Sequence, residues 1–257
     1  MRSPIFIVTL SAAAVLILSA GVAGAQDTAD ELIKKGDAYY DRLQADQALK
    51  FYLPAEKLDP NNAKLLVRIS REYRHLMSDA TKREEKIRLG GIAVDYSRRA
   101  VALAPKDPEA QLSIAISYGK VLPLQGSRQQ AENSRLIRAA AERVIQLDPY
   151  NDLGWHVLGR WHTNMAGVSA VKRALAQIVY GNLPVATNEA AVRCFEKAIE
   201  LNPKRLMHYI ELGRTYAQMG RKAEARKFIT KGLAMAETEK DDPETKNRGR
   251  EVLSKLR

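Results

Sequence analysis

Apolar residues recur three and four positions apart through most of the chain, the spacing of helices with one buried face, and short polar turns interrupt them. The interruptions share a phrase: Lys57-Leu58-Asp59-Pro60, Ala102-Leu103-Ala104-Pro105, Gln146-Leu147-Asp148-Pro149 and Glu200-Leu201-Asn202-Pro203. Proline cannot continue a helix and pushes its predecessor towards extended backbone, so each phrase marks a helix stop followed by a tight turn. Four like stops predict a repeated unit.

Aligned on those prolines, the chain follows the tetratricopeptide pattern, a helical hairpin of about 34 residues with set positions for Leu-Gly, an aromatic, Ala, a large apolar residue and Pro. The first repeat supplies Leu32, Gly36, Tyr39, Ala48, Tyr52, Ala55 and Pro60. The second supplies Leu66, Ile69 and Tyr73, then Ala93, Ala100 and Pro105 after an insertion; the third supplies Ile114, Ala115 and Tyr118, then Val144 and Pro149 after another. The fourth begins with Trp155, Leu158 and Gly159 and resumes at Ala191, Phe195, Ala198 and Pro203. The fifth has Tyr209, Leu212, Gly213, Tyr216, Ala225 and Ile229 without insertion. The expected fold is all-α: a tetratricopeptide-type solenoid of about five hairpins whose ends need polar caps. Asp242-Pro243-Glu244 reads as an N-cap opening a C-terminal capping helix. The insertions at 81–89 and 128–138 read as extensions of second helices, and 168–180 as an extra helix ending near Gly181-Asn182-Leu183-Pro184.

The stretch Trp155-His156-Val157-Leu158-Gly159-Arg160-Trp161-His162 holds both tryptophans and two of the four histidines. The repeat pattern makes Trp155 a core residue and places His162 where an aromatic is expected. His156 and Arg160 lie one turn apart on the opposite face. In this architecture the first helices of successive repeats line a concave surface. That surface is read as Asp37, Tyr40 and Asp41; then Lys64, Arg71, Arg74 and His75; then Leu112, Ile116 and Lys120; then His156, Arg160 and Asn164; and last Met207, Ile210, Arg214 and Gln218. From the second repeat on it reads as basic with apolar patches and no acid beyond Glu109. The candidate ligand-binding residues are Arg71, Arg74, His75, Lys120, His156, Arg160, Asn164, Arg214 and Gln218. A guanidinium fork donates two hydrogen bonds to one oxyanion, which suits carboxylate or phosphate. The alternative is that these arginines pair with acids of the second helices or face water.

Charge supports an anionic partner. Residues 26–62 carry five basic and eight acidic groups, whereas 63–257 carry 35 basic and 22 acidic. The chain opens Met1-Arg2-Ser3-Pro4, runs apolar from Ile5 to about Ala20 and reaches Ala23-Gly24-Ala25. This reads as a secretory signal over 1–25, cleaved before Gln26, with an uncleaved anchor as the alternative, ahead of a repeat domain over 26–257. The expected location is therefore outside the cytoplasm, periplasmic or secreted. Cys194 is the only cysteine, so no internal disulfide framework is available, and its apolar neighbourhood makes it a buried small hydrophobe.

Leu158-Gly159-Arg160-Trp161, Lys172-Arg173-Ala174-Leu175-Ala176, Tyr180-Gly181-Asn182-Leu183-Pro184 and Ala190-Ala191 through Phe195-Glu196-Lys197-Ala198 to Asn202-Pro203 resemble the regulator of microtubule dynamics family. The likeness reaches back more weakly through Ala115-Ile116-Ser117-Tyr118-Gly119-Lys120, and a small residue, Ala170, stands near the place where family members tend to have tryptophan. The resemblance implies a helical interaction module that binds protein partners or membranes, with no catalytic residues to carry over. Its microtubule role is not carried over, since an exported chain meets no tubulin.

An enzyme is not expected. The histidines are scattered at 75, 156, 162 and 208, and neither a metal-ligand spacing nor a glycine-rich loop after a strand occurs. No cofactor and no small-molecule substrate is implied. The isoelectric point near 9.7 raises nucleic acid as a partner. Export and the scarcity of interleaved aromatic and basic residues argue against it. The expected partner is a protein or peptide, acidic in character, held in the groove by a scaffold or adaptor. The alternative is an anionic phospholipid, which would need Leu112, Ile116, Met207 and Ile210 as well as the arginines.

Overall fold

The computed structural model describes residues 27–169 and 185–256. The expected signal segment and most of the extra helix expected over 168–180 lie outside the described residues. The described residues form α1 (Ala29–Tyr40), α2 (Ala45–Leu58), α3 (Ala63–Asp79), α4 (Arg83–Leu103), α5 (Pro108–Val121), α6 (Ser127–Leu147), α7 (Asp152–Ala166), α8 (Asn188–Leu201), α9 (Leu206–Gln218), α10 (Lys222–Ala234) and α11 (Asp242–Lys255). A single 3₁₀ turn, Leu122–Leu124, follows α5, and no strand occurs among the described residues.

Five helical hairpins, α1–α2, α3–α4, α5–α6, α7–α8 and α9–α10, stack in sequence, and α11 closes the array. The four shared phrases end their helices in one way. Asp59, Ala104, Asp148 and Asn202 are the C-caps, with φ from −134 to −142 and ψ from 69 to 93. Each cap N–H still donates to the carbonyl four residues back, and the proline that follows forbids another turn. After three of the four stops the next helix begins on a side-chain cap: Asn62 accepts from the Leu65 amide, Asp107 from Glu109 and Asn151 from Gly154. The insertions at 81–89 and 128–138 fall at the starts of α4 and α6, each 21 residues long.

Close approach within a hairpin depends on glycine. A Cβ on Gly36 would lie 2.4 Å from the Tyr52 ring, one on Gly159 2.9 Å from Phe195 and one on Gly213 2.6 Å from Ile229. Tyr52, Phe195 and Ile229 are fully buried, so the first helix of each hairpin rests its backbone on an aromatic or branched side chain of the second. Trp155 differs from expectation. It is half-buried at the edge of the core, its Nε1 donating to the Pro149 carbonyl, whereas Trp161 is 4% exposed and donates to Ser134 Oγ. The Trp161 indole reaches back to α6 and takes the interior position.

First helices touch first helices along the stack: α3 meets α5, α5 meets α7, and α7 meets α9. No comparable contact joins successive second helices among the described residues. The array therefore curves with its first helices on the inner wall.

Candidate functional site

The inner wall is a charged, internally paired surface. Glu72 on α3 is fully buried and Glu211 on α9 nearly so, each among the basic residues read from the sequence. They correct the expectation of a groove with no acid beyond Glu109. Arg71 Nε donates to Glu72 Oε1 at 3.1 Å while its guanidinium lies 3.4 Å over the Tyr40 ring. His75 Nδ1 stands 3.3 Å from the other Glu72 oxygen, and its ring stacks against Tyr40. Arg214 Nη1 donates to both oxygens of Glu211, at 2.8 and 2.6 Å, and Arg248 of α11 approaches the same carboxylate at 3.5 Å. Burial pushes the Glu211 carboxyl up, but Arg160, Arg214 and Arg248 outweigh it and hold it below the usual range. The acids that pair these arginines come from the first helices, not from the second.

Two candidates prove inaccessible. Arg74 is 6% exposed, and its Nη1 sits among serines of three helices, donating to Ser70 Oγ and Ser117 Oγ at 2.9 Å and to Ser113 Oγ at 3.1 Å. Ser97 links this set, 2.7 Å from Ser70 and 2.8 Å from Ser117. Among the described residues no carboxylate pairs with the guanidinium, and burial brings its pKa down to about 10. His156 is also buried, packed edge-on against Phe195, with its Nδ1 2.9 Å from His208 Nδ1. His208 Nε2 reaches Asp152 Oδ2 at 2.8 Å, and Arg205 Nε reaches the same oxygen at 3.2 Å. The sequence reading separated these histidines; stacking α7 on α9 unites them. Among the described residues no cluster of three or more metal-ligating side chains forms.

Lys120 is bound from an unexpected quarter. Its Nζ donates to Ser78 Oγ at 2.6 Å and to Asp241 Oδ1 at 2.8 Å, and Ser78 also donates to Asp241. Burial lowers the Lys120 pKa, which the Asp241 carboxylate partly offsets. Asp241 is the N-cap of α11, so the C-terminal segment crosses the inner wall to α3 and α5. Lys240 pairs with Asp79 at 2.9 Å, and Glu239 with Arg205 at 3.3 Å.

What remains open centres on α7. Arg160 is solvent-exposed and makes no hydrogen bond or ion pair among the described residues. The surrounding protein lowers its pKa; Glu211 opposes that, while Arg248 and Arg214 add to it. Asn164, one turn on, is exposed, and Gln218 at the end of α9 donates to the Thr163 carbonyl and to Asn188. Of the apolar groove residues, Leu112 and Ile210 are buried in helix packing, leaving Ile116 and Met207 half-buried. A shallow apolar cleft lies elsewhere, between α7 and α8, lined by Trp155, His162, Ala190, Arg193, Cys194 and Lys197.

Comparison with known proteins agrees with this architecture. A thermophilic TPR protein of Thermus thermophilus superposes with a TM-score of 0.63 at 15% identity, covering 88% of this chain and all of that one, a likeness of fold. Mouse regulator of microtubule dynamics protein 1 is 25% identical over 243 residues, 94% of this chain and 79% of that protein. Mouse regulator of microtubule dynamics protein 2 is 26% identical over 193 residues, and this chain spans about half of its length, 47%. Residues 30–257 match the family described as regulator of microtubule dynamics protein 1-3. The match thus spans nearly the whole length, and the chain belongs to the regulator of microtubule dynamics family.

Proposed function

We propose that the chain is a non-catalytic adaptor of the cell envelope that holds an acidic segment of a partner protein against its inner wall, with Arg160 as the central contact. The fold is a helical-repeat interaction scaffold, and one observation selects the place. Arg71, Arg214 and Lys120 already pair directly with carboxylates, whereas Arg160 is exposed and makes no ion pair among the described residues. Arg160, Arg214 and Arg248 share the single carboxylate of Glu211, and Arg160, which makes no direct ion pair to it, is suited to accept a second carboxylate from outside. Asn164 adds an amide donor one turn away.

Retention on immobilised poly-glutamate tests the reading. Arg160→Glu should cut retention about tenfold or more while leaving the helical signal unchanged, since loss of a charged contact is worth about 1.4 kcal/mol or more. Unchanged retention would refute the assignment. Vesicles of phosphatidylglycerol form the second arm: loss of vesicle binding in Arg160→Glu, with poly-glutamate ignored by both proteins, would move the assignment to a lipid headgroup. The envelope location rests on the apolar run and Ala23-Gly24-Ala25. A mature chain whose first residue is Gln26, read by N-terminal sequencing after expression with export, is its check.

A further inference from the structure

The inner wall already carries a segment of the same chain, the residues that lead into α11 together with its second turn. Residues 239–248 contact three repeats: Asp241 bridges Ser78 and Lys120, Lys240 pairs with Asp79, Glu239 with Arg205, and Arg248 with Glu211. These contacts are polar, all but the Ser78 hydrogen bond being ion pairs. The residues that α11 buries are Asp242, Thr245, Lys246 and Gly249, whereas α9 buries nine, among them Leu206, Tyr209, Ile210, Leu212 and Tyr216. Apolar anchoring comes from the far end, where Val252 and Leu253 are half-buried and Leu256 is buried.

The contact is also incompletely satisfied. Four buried side-chain polar atoms among the described residues have no hydrogen-bond partner, and three of them lie at this junction: Arg205 Nη1, Asp242 Oδ1 and Arg248 Nε. A buried donor or acceptor left unpaired is destabilising, and this junction holds most of those among the described residues. Few apolar contacts and imperfect polar ones put an element at the low end of local stability.

We infer that the inner wall is a docking surface for an acid-led amphipathic helix, that α11 is its displaceable internal occupant, and that a partner helix of the same chemistry competes for the place. The pattern of α11 states that chemistry. Asp241, Asp242 and Glu244 lead, Arg248 follows two turns after Asp241, and Val252, Leu253 and Leu256 close. The leading acid answers Lys120 and Ser78, the arginine answers Glu211, and the apolar turn packs at the α9–α10 end. The inference rests on the reading of the inner wall as the binding face and names the kind of segment that face accepts.

The test uses the full chain and a synthetic labelled peptide of residues 236–256, with no outside partner. Amides of 242–255 should exchange about tenfold or more faster than those of 206–218, after correction for intrinsic rates. Asp241→Asn, which weakens the internal occupant while leaving Lys120 in place, should bind the peptide about tenfold more tightly than the wild type, because the peptide restores the lost carboxylate. If Asp241→Asn does not fold, Glu239→Gln loosens the same segment through its part-buried pair with Arg205 and should show the same direction. Equal protection of α9 and α11, or equal peptide affinity in wild type and loosened variant, overturns the inference. Either result leaves the poly-glutamate experiment on Arg160 standing, so the two readings fail separately.

Discussion

A methyl group on Gly213 would meet backbone as well as side chain, 2.9 Å from the Ile229 nitrogen and 3.0 Å from the Ala225 carbonyl oxygen. Backbone inside a hairpin cannot step aside, so Gly213→Ala should cost about 1–3 kcal/mol, read as a lower thermal midpoint. Gly119 on α5 is the contrast: nothing stands within 4 Å of a Cβ there, and Gly119→Ala should stabilise by up to about 1 kcal/mol. The paired histidines set a pH dependence. Burial holds His156 well below the usual imidazole range and His208 below it, with Asp152 partly opposing the latter. Unfolded imidazoles titrate at about 6.5, so between the folded values and that pH the unfolded chain binds more protons. Stability therefore rises with pH across this window and is lost as pH falls through about 6.5. The urea midpoint should drop between pH 7.5 and 5.5, and the drop should shrink in His156→Gln. Residue roles were legible where the repeat pattern dictates them, as at Gly36, Gly159 and Gly213. They were not where a neighbouring helix decides: His156 shares a helix with Arg160, and only the stacking of α9 on α7 buries the one and leaves the other open.

At the scale of the element, helix ends were the most readable feature. Each closing phrase combines a residue that tolerates a non-helical cap with a proline that enforces it, and both effects are local. Asn62 joins one stop to the next start: its carbonyl accepts from the Leu65 amide while its amide donates to Asp59 Oδ2 at 3.0 Å. Asn62→Ala should lower stability by about 1 kcal/mol in urea unfolding, with no change of fold. The C-terminal helix was expected to open with Asp242 as its cap; it starts one residue earlier, because Asp242 instead accepts from the Thr238 and Glu239 amides at 2.8 Å and Asp241 becomes the cap. Glu72 and Glu211 escaped notice for a related reason. A carboxylate beside the packing stripe reads as solvent-facing until the next hairpin covers it.

At the scale of the whole molecule, stability is a sum over hairpins and their junctions. Removing residues 236–257 should lower amide protection in 206–234 far more than in 29–58, because Ile210 and Ile229 lose their packing against Gly249 while α1 and α2 lose nothing. The crossing of the inner wall by residues 239–241 could not be read from the chain, since Ser78 and Asp241 stand 163 residues apart and only curvature joins them. Cys194 is the sole sulfhydryl, and burial between α7 and α8 pushes its pKa up to about 11, so at neutral pH it is almost wholly protonated and shielded. Alkylating dyes should pass it by, so that a cysteine installed on the outer side of α11 would take a fluorophore alone, in a background that needs no prior substitution.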